Sequence, residues 1–356
     1  MGDPKTNTDV KDRIKIPVLN MFKVNMGVKA GEKVLVITDF PERQHWISKD
    51  FLFLNEASER TLLAKIVYEI AAENLKENQV EFYAYPLTGM HGKEPPRDAA
   101  EKMKSYDVAI AITTFSLSHT NAREEATEAG VRIASMPGFT VDMFEPDGPM
   151  SADYLWIKDT SLKIAKWLDG KKHVRIENEY GTKLSLSVEG RKWDVDIGLY
   201  VNKGEWGNLP AGEVYIAPLE GSTEGTLIAP KGWYPNLKED MVFHIKEGLV
   251  YKIDGGGDVG DNFRKLLGLN PINNSPEYVA RRNIAELGIG TNPKAKRPDN
   301  VLEAEKIFGT VHVAIGDNSH FGGKVKADLH EDFVQPKPTV IVDGEIFMEK
   351  GKLKIL

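Results

Sequence analysis

The sequence contains no cysteine among its 356 residues. This absence excludes disulfide scaffolds, zinc fingers, iron–sulfur clusters and cysteine nucleophiles. Any metal ion that the protein binds has to be held by histidine, aspartate, glutamate or tyrosine side chains. The lack of cysteine therefore narrows the metal chemistry that is open to the protein but does not remove it.

An excess of basic residues and a long apolar run are also lacking. The chain has 46 Lys and Arg against 53 Asp and Glu, a formal net charge of −7, whereas nucleic acids and anionic membranes favour a basic surface. No stretch of about 18 apolar residues occurs, and residues 1–16 are charged, without the apolar core of a signal peptide. We therefore expect a cytoplasmic protein whose main partner is neither a nucleic acid nor a membrane.

Apolar periodicity in the first half predicts strands that alternate with helices. Such alternation is typical of a parallel sheet whose strands are joined by crossover helices. It predicts an N-terminal α/β domain over residues 1–170. The predicted strands are 33–38, 80–85, 106–113 and 131–135, and the predicted helices are 59–76, 97–104, 121–129 and about 153–168.

After Gly170 the pattern changes to short alternating segments with turn residues between them, which is typical of antiparallel strands. The predicted fold class is therefore α/β, with a parallel-sheet N-terminal domain and a mixed, β-rich C-terminal domain over residues 171–356 that carries a metal site. The predicted strand regions are 173–190, 212–218, 241–255 and 339–348, and the predicted helices are 260–268 and 276–287, the second with Ser275 as N-cap and Pro276 at its first position.

Three residues near the C-terminus are candidate metal ligands: His312, His330 and Asp332. Residues i and i+2 of a strand share a face, so His330 and Asp332 can point into one site. His312, on a neighbouring strand, could complete a set of two histidines and one carboxylate that suits a divalent metal. The spacing is equally compatible with a surface pair at 330 and 332 and a core histidine at 312.

Two carboxylates lie in apolar surroundings, where an unpaired charge is costly. Glu213 stands at the start of an apolar strand, and Glu286 lies in the predicted helix over 276–287. Both are candidate metal ligands. Alternatively, Arg281 and Arg282 could pair with Glu286 across one helix face, and periodicity does not decide between the two interpretations.

The segment 116–123, SLSHTNAR, follows a predicted buried strand and precedes a helix. Ligands favour the carboxyl ends of parallel strands, and helix N-termini attract anions. His119 and Arg123 are therefore candidate substrate-binding residues. The alternative is a well-capped helix start in which His119 is structural.

Motifs along most of the chain resemble the M29 family of metallo-aminopeptidases, the aminopeptidase T and aminopeptidase S group. The C-terminal half carries the more specific part of this resemblance, and the N-terminal segments GVKAGEKVLVITD and SLSHTNAREEATEAGVRIASMPG are also similar. The matching C-terminal segments, in chain order, are LPAGEVYIAP, GTLIAP, GLVYKIDGG, ARRNIAELGIGTNP, GTVHVAIGDN, LHEDF and VIVDGEIF.

The resemblance implies two divalent metal ions, zinc, cobalt or manganese, held by Glu213, Glu286, His312, His330 and Asp332. It implies peptide hydrolysis in which one metal activates a water molecule while the other holds the free amino terminus and polarises the scissile carbonyl. Glu286, between the metals, would be the catalytic carboxylate that orients the water. The resemblance also implies a homodimer.

The sequence departs from the M29 pattern where the family has a tyrosine ligand, seven residues after the histidine matched by His312. Ser319 stands there, followed by His320, which could offer an imidazole to metal or substrate or be an ordinary loop histidine. We include His320 among the candidate substrate-binding residues.

That departure makes a second enzyme class the alternative. A relative of the same fold, 2,5-dihydroxypyridine 5,6-dioxygenase, cleaves an aromatic ring at one non-heme Fe(II), and its iron site resembles His312, His330 and Asp332. A catalytically silent metal- or ligand-binding protein that keeps the fold is a third possibility. Two-metal hydrolysis needs both glutamates, and because both are present the sequence favours the aminopeptidase.

Overall fold

The computed structural model describes residues 7–355. Residues 1–6, which belong to the segment without an apolar signal core, lie outside the described residues. The chain forms two compact units. The first runs up to Tyr154 and also contains Gly198–Ala211, and the second contains Leu155–Ile197 and the chain from Gly212 onward.

Helices and strands alternate in the first unit, and strands dominate the second. The helices are α1 Asn7–Asn20, α2 Arg43–Ser48, α3 Phe51–Asn74, α4 Arg97–Lys104, α5 Asn121–Glu128, α6 Tyr154–Leu168, α7 Gly257–Leu266, α8 Pro276–Arg281 and α9 Val301–Ala304. The strands are β1 Lys33–Phe40, β2 Gln79–Pro86, β3 Val108–Thr113, β4 Arg132–Pro137, β5 His173–Glu177, β6 Lys183–Ser187, β7 Asp194–Asp196, β8 Trp206–Asn208, β9 Glu213–Ile216, β10 Glu224–Ala229, β11 Met241–Lys246, β12 Leu249–Gly255, β13 Ile284–Gly290, β14 Val311–Gly316, β15 His330–Gln335, β16 Thr339–Val342, β17 Glu345–Glu349 and β18 Lys352–Leu353.

A five-stranded parallel sheet forms the centre of the first unit, in the order β2-β1-β3-β4-β8. Every residue of β3 is buried, as expected for a parallel strand that is covered on both faces. The edge strand β8 comes from Gly198–Ala211, which returns to this unit after the first strands of the second. The predicted parallel-sheet domain is confirmed.

Two antiparallel sheets form the second unit, with strand orders β12-β11-β10-β6-β5-β16-β17-β18 and β15-β14-β13-β9-β7. One apolar core draws on both sheets, as the burial of Leu184, Phe243, Val313 and Phe333 shows. The predicted β-rich second half is confirmed, and the whole fold class with it. Among residues 7–355, no helix has both the length and the apolar composition that a membrane crossing requires.

The last helix of the first half, α6, belongs with the second unit apart from its first residue, so the division in space differs from the single boundary expected at residue 170. Ile164 and Leu168 of α6 are buried in the same core as Val174 and Ile176 of β5. The apolar face of α6 packs in the core of the second unit, which places the helix in that unit. The apolar periodicity of a helix shows which face is buried but not which of two cores buries it.

The helix predicted over 276–287 is wrong in its second half. It begins as expected, with Ser275 as N-cap and Pro276 in its first turn, but it ends at Arg281, and Ile284–Gly290 is the central strand β13. All seven residues of β13 are buried. Periodicity does not distinguish a short strand that is buried on both faces from a buried helix. Here the segment is a strand because it pairs with β14 and β9.

Candidate metal centre

The sheet β15-β14-β13-β9-β7 places the five predicted metal ligands on one face. Directly paired residues in adjacent strands point to the same side of a sheet. The pairs His312–Gly288, Asp332–Ala314, His330–Gly316 and Glu213–Gly290 therefore align their side chains, and Glu286 shares a face with Gly288 two residues on. The opposite face is mainly apolar and includes Val214, Leu287, Val313 and Phe333.

Small residues opposite the polar ones make room for this arrangement. A Cβ atom at Gly288 would lie 1.9 Å from Nε2 of His312, so the imidazole occupies the space that a side chain at 288 would fill. Gly290 and Gly316 stand opposite Glu213 and His330. Each of these polar side chains therefore lies beside a small residue on the neighbouring strand. This leaves room for bulky polar groups to come together on one face of the sheet.

His312 lies at the centre of the group and is fully buried. Its Nε2 atom lies 3.1 Å from Oε1 of Glu286, 3.4 Å from Oε2 of Glu213 and 4.0 Å from Oδ1 of Asp332. Glu213 and Glu286 are 8% and 7% exposed. One ligand atom from each of Glu213, Glu286 and His312 lies within 4.8 Å of the other two, a spacing that one metal ion can bridge.

His330 approaches the same point from the next strand. Its Nδ1 atom lies 2.8 Å from the carbonyl oxygen of Asp317, so Nδ1–H donates and the lone pair of neutral imidazole is on Nε2. That Nε2 lies 3.5 Å from Oε2 of Glu286 and 3.8 Å from Oδ1 of Asp332. A ring nitrogen hydrogen-bonded to a backbone carbonyl, with the other free for a cation, is the usual arrangement of a metal-binding histidine.

Two buried polar atoms in the group have no hydrogen-bond partner among the described residues, Nδ1 of His312 and Oδ1 of Asp332. Buried polar atoms are normally paired, so each such atom calls for a ligand or a water molecule. Oδ1 of Asp332 lies within 4.0 Å of Nε2 of both His312 and His330. The donor set of two imidazoles and one carboxylate, with that unpartnered oxygen between the imidazoles, fits one divalent cation.

Electrostatics also favour a cation at this point. Burial lowers the pKa of His312, but the carboxylates of Glu286, Asp332 and Glu213 outweigh burial and raise that pKa to about 10. Burial lowers the pKa of His330 as well, and Asp332 and Glu286 shift it above its usual value. The carboxylates thus stabilise positive charge on both imidazoles, and a metal ion supplies the same charge.

Sequence reasoning missed Lys306, which borders this group. Its Nζ atom donates to Oε1 of Glu213 at 2.6 Å and lies 2.7 Å from Oε1 of Glu305 and 4.0 Å from Oδ2 of Asp196. Its side chain is 3% exposed. A single lysine between Glu305 and an apolar stretch gives no sequence signal, because two of the three carboxylates, those of Glu213 and Asp196, come from distant parts of the chain.

Glu286 lies on strand β13 rather than at a helix end, and neither arginine proposed as its partner pairs with it. Arg281 forms ion pairs with Glu277 and Asp328, and Arg282 donates to the carbonyl oxygens of Leu267, Gly268 and Asn273. The helix-face salt bridge is therefore wrong. Glu286 instead faces His312 and His330.

Two aromatic side chains lie close to the predicted ligands, and no sequence motif singles them out. The ring of Phe321 meets the imidazole of His330 edge-on at 5.8 Å between centroids and the ring of Tyr215 edge-on at 5.7 Å. Tyr215 is paired with Gly288 across β9 and β13, so its side chain shares the face of the ligands. An apolar, aromatic boundary therefore accompanies the polar centre.

His320 is not buried with the five ligands. Its side chain is 65% exposed, and its Nε2 lies 3.7 Å from Oδ1 of Asp317. Ser319, at the position of the M29 tyrosine, donates its hydroxyl to the carboxylate of Asp317 at 3.1 Å. Substrate binding by His320 stays a prediction.

His119 and Arg123 belong to the first compact unit, whereas all five predicted metal ligands belong to the second. His119 is exposed. Arg123 is held by its own surroundings: its guanidinium lies 3.9 Å over the ring of Trp206, and Nε donates to the carbonyl oxygen of Ser118 at 3.0 Å. Thr120 caps the helix by accepting from the backbone N–H of Arg123. Substrate binding by these two residues stays a prediction.

Comparison with known proteins identifies the family. A family model described as NicX, 2,5-dihydroxypyridine 5,6-dioxygenase, matches residues 18–355. A curated 2,5-dihydroxypyridine 5,6-dioxygenase from Pseudomonas putida KT2440 is 25% identical over 258 residues, which cover 68% of this chain and 70% of that protein.

Two solved structures share the fold. The 2,5-dihydroxypyridine dioxygenase from Pseudomonas putida KT2440 matches with a TM-score of 0.67 and 17% identity, over 98% of both chains. AmpT from Thermus thermophilus matches with a TM-score of 0.60 and 13% identity, over 97% of this chain and 99% of that one. At these identities the likeness to both structures shows the fold alone.

These findings correct the assignment made from the sequence. The assignment of this chain to the M29 family is wrong, because the matching family model and the curated relative are both dioxygenases. The predictions of a hydrolase, an aminopeptidase and a protease are wrong for the same reason. The motifs misled because the two families share a fold, so segments that maintain the fold resemble both. The metal-binding prediction survives in a coarser form, as a described group of residues able to hold a metal ion.

Proposed function

Because the chain belongs to the 2,5-dihydroxypyridine 5,6-dioxygenase family, we propose that it is a ring-cleaving dioxygenase that uses one Fe(II) ion. The proposed ligands are His312, His330 and Asp332, the facial set of two histidines and one carboxylate that non-heme iron oxygenases use. The proposed substrate class is a dihydroxylated pyridine, the class named for the curated relative. In the overall reaction both atoms of O₂ are added to the substrate and a carbon–carbon bond of the ring breaks.

One observation carries this proposal: the unpartnered, buried Oδ1 of Asp332 within 4.0 Å of the Nε2 atoms of both histidines. When bound, the iron would supply open coordination positions for O₂ and for the substrate oxygens. The backbone carbonyl of Asp317 holds the ring of His330 in its orientation. The space left by Gly288 holds that of His312. Fixed ring orientations of this kind reduce the rearrangement that metal binding requires.

Other side chains of the centre have roles that follow from their positions. Glu286 faces both imidazoles and is the carboxylate placed to accept the proton that a ring hydroxyl loses on binding. Tyr215 and Phe321 provide an aromatic boundary against which a flat heteroaromatic ring can pack.

The test is an oxygen-uptake assay with protein that has been purified without a histidine tag or chelator and loaded anaerobically with Fe(II). We expect O₂ uptake with 2,5-dihydroxypyridine or another dihydroxylated pyridine. The amount of O₂ consumed should equal the amount of substrate lost, measured from its aromatic absorbance. Asp332→Ala should lose bound iron and lower kcat/KM by about 10³-fold or more, because the loss of a ligand removes the metal's contribution of several kcal/mol.

The matched control is His244→Ala, since His244 pairs with Asp254 on the eight-stranded sheet, away from the ligand strands. That variant should keep its iron and its activity. Iron-loaded protein that consumes no O₂ with any dihydroxylated pyridine would refute the proposed function.

A further inference from the structure

A buried cation is already built into the chain beside the proposed iron ligands. The ammonium group of Lys306 is surrounded by carboxylates of three residues, Glu213 at 2.6 Å, Glu305 at 2.7 Å and Asp196 at 4.0 Å. Its side chain is 3% exposed, and those of the three acidic residues are 11–17% exposed. The proposed dioxygenase function makes no use of this group.

The backbone fixes where the lysine stands. The N–H of Lys306 donates to the carbonyl oxygen of Glu303, and its carbonyl oxygen accepts from the N–H of Asn292. Glu213 and Asp196 are paired directly across β9 and β7, so their carboxylates lie side by side on the ligand face. Lys306 therefore reaches this face from the segment before β14, and the carboxylates that it meets are set by the sheet.

One carboxylate joins the lysine to the metal ligands. Oε1 of Glu213 accepts from Nζ of Lys306, while Oε2 of the same group lies 3.4 Å from Nε2 of His312. A carboxylate whose two oxygens face two different cationic positions is how a glutamate commonly bridges a pair of metal ions. In this chain one of those two positions is filled by an ammonium group.

From this geometry we infer that Lys306 occupies the place of a second cation and so limits the centre to one metal ion. The inference rests on the proposed function insofar as the first ion is held by His312, His330 and Asp332. It adds that the number of ions is set by a residue which is not itself a ligand. Lys306 is thus a positioning residue for the centre rather than a catalytic one.

The physical reason lies in charge and occupancy. Three converging carboxylates would bind a divalent ion well if their charge were free. A tethered ammonium group neutralises part of that charge at all times, donates hydrogen bonds to the same oxygens, and repels a second ion that approaches within a few ångströms. Removal of the ammonium leaves the acidic residues without their cation, and buried carboxylates without a cation are costly.

The test counts metal ions in the full-length protein without substrate, so it is independent of ring cleavage. Metal-free protein is titrated with Mn²⁺, and bound metal is measured by elemental analysis after removal of free ions. We expect about one ion per chain in the wild type, about two in Lys306→Ala, and about one in Lys306→Arg, which keeps the charge. In Lys306→Ala combined with Glu305→Ala the count should return towards one, because the new site loses a carboxylate.

Several outcomes would overturn the inference: two ions in the wild type, one ion in folded Lys306→Ala, or two in Lys306→Arg. If Lys306→Ala is unfolded without metal, excess Mn²⁺ should restore a cooperative thermal transition, since the second ion replaces the missing ammonium. Failure of Mn²⁺ to restore that transition would also overturn it. A wild type that binds one ion but cleaves no ring would refute the proposed function and leave this inference standing.

Discussion

Asp39 in the first compact unit and Asp332 in the second both have buried carboxylate oxygens, and their hydrogen-bond partners differ. In the first, Asp39 at the end of β1 is fully buried, and its carboxylate accepts from the backbone N–H groups of Thr114 at 2.6 Å and Phe115 at 3.1 Å. Arg60 is buried nearby and donates to the carbonyl oxygen of Phe139 and the hydroxyl of Thr114. The chain itself supplies the partners of this carboxylate.

In the second unit the partners are incomplete. Oδ1 of Asp332 and Nδ1 of His312 are buried without a hydrogen-bond partner among the described residues, although several polar groups surround them. Because an unsatisfied buried polar atom costs about 1–3 kcal/mol, the unpartnered Oδ1 of Asp332, which faces Nε2 of both histidines, calls for a ligand or a water molecule. We therefore predict that the network around Asp39 is structural and that the one around Asp332 holds a metal ion, and substitutions in both networks test this prediction.

Apart from substitution of the proposed ligands themselves, the largest effect on metal binding is expected from Gly288→Ala. The added Cβ would lie 1.9 Å from Nε2 of the fully buried His312, so the imidazole has to leave its position. We expect metal affinity to fall by about 10- to 100-fold, as when a group that orients a ligand is lost. Metal titration followed by elemental analysis measures it.

The control for Gly288→Ala is Gly170→Ala, a position with open space around the added atom and a φ of 72°. It should cost about 1 kcal/mol of stability through its left-handed backbone while keeping full metal affinity. Unchanged metal affinity in Gly288→Ala would show that the position of His312 does not matter for the centre.

An intermediate effect, on stability rather than on metal binding, is expected from Asp39→Ala. This change leaves the N–H groups of Thr114 and Phe115 without their acceptor, so the free energy of unfolding should fall by about 1–3 kcal/mol. The metal content of the folded protein should not change. Urea unfolding gives the first quantity and elemental analysis the second, and a loss of metal in folded Asp39→Ala would contradict the separation of the two networks.

The smallest effect is expected from His320→Ala. His320 lies on the same unit as His312, but its side chain is 65% exposed whereas His312 is fully buried among carboxylates. His320→Ala should therefore retain the wild-type metal content, while His312→Ala should lose it. If both variants lose metal, the loop histidine is a ligand and the contrast between buried and exposed histidines fails.

Part of the centre was predictable because its signal is local. His330 and Asp332 are two residues apart, so once the segment is a strand they share a face, and the structure has them on β15. The interpretation of Glu286 was less secure because it depended on a helix that ends at Arg281. Its place beside two histidines follows from the pairing of β13 with β14, which involves residues about 25 positions apart.

The amino-acid sequence by itself determined the alternation of a parallel-sheet half with an antiparallel half, and the residue types His312, His330 and Asp332 that suit a metal. These follow from periodicity and from side-chain chemistry, which act over short distances along the chain. Only the tertiary structure decided that Gly288 leaves room for an imidazole and that Lys306 meets carboxylates from three segments. Both depend on register between strands, and register is set by packing between segments far apart in sequence.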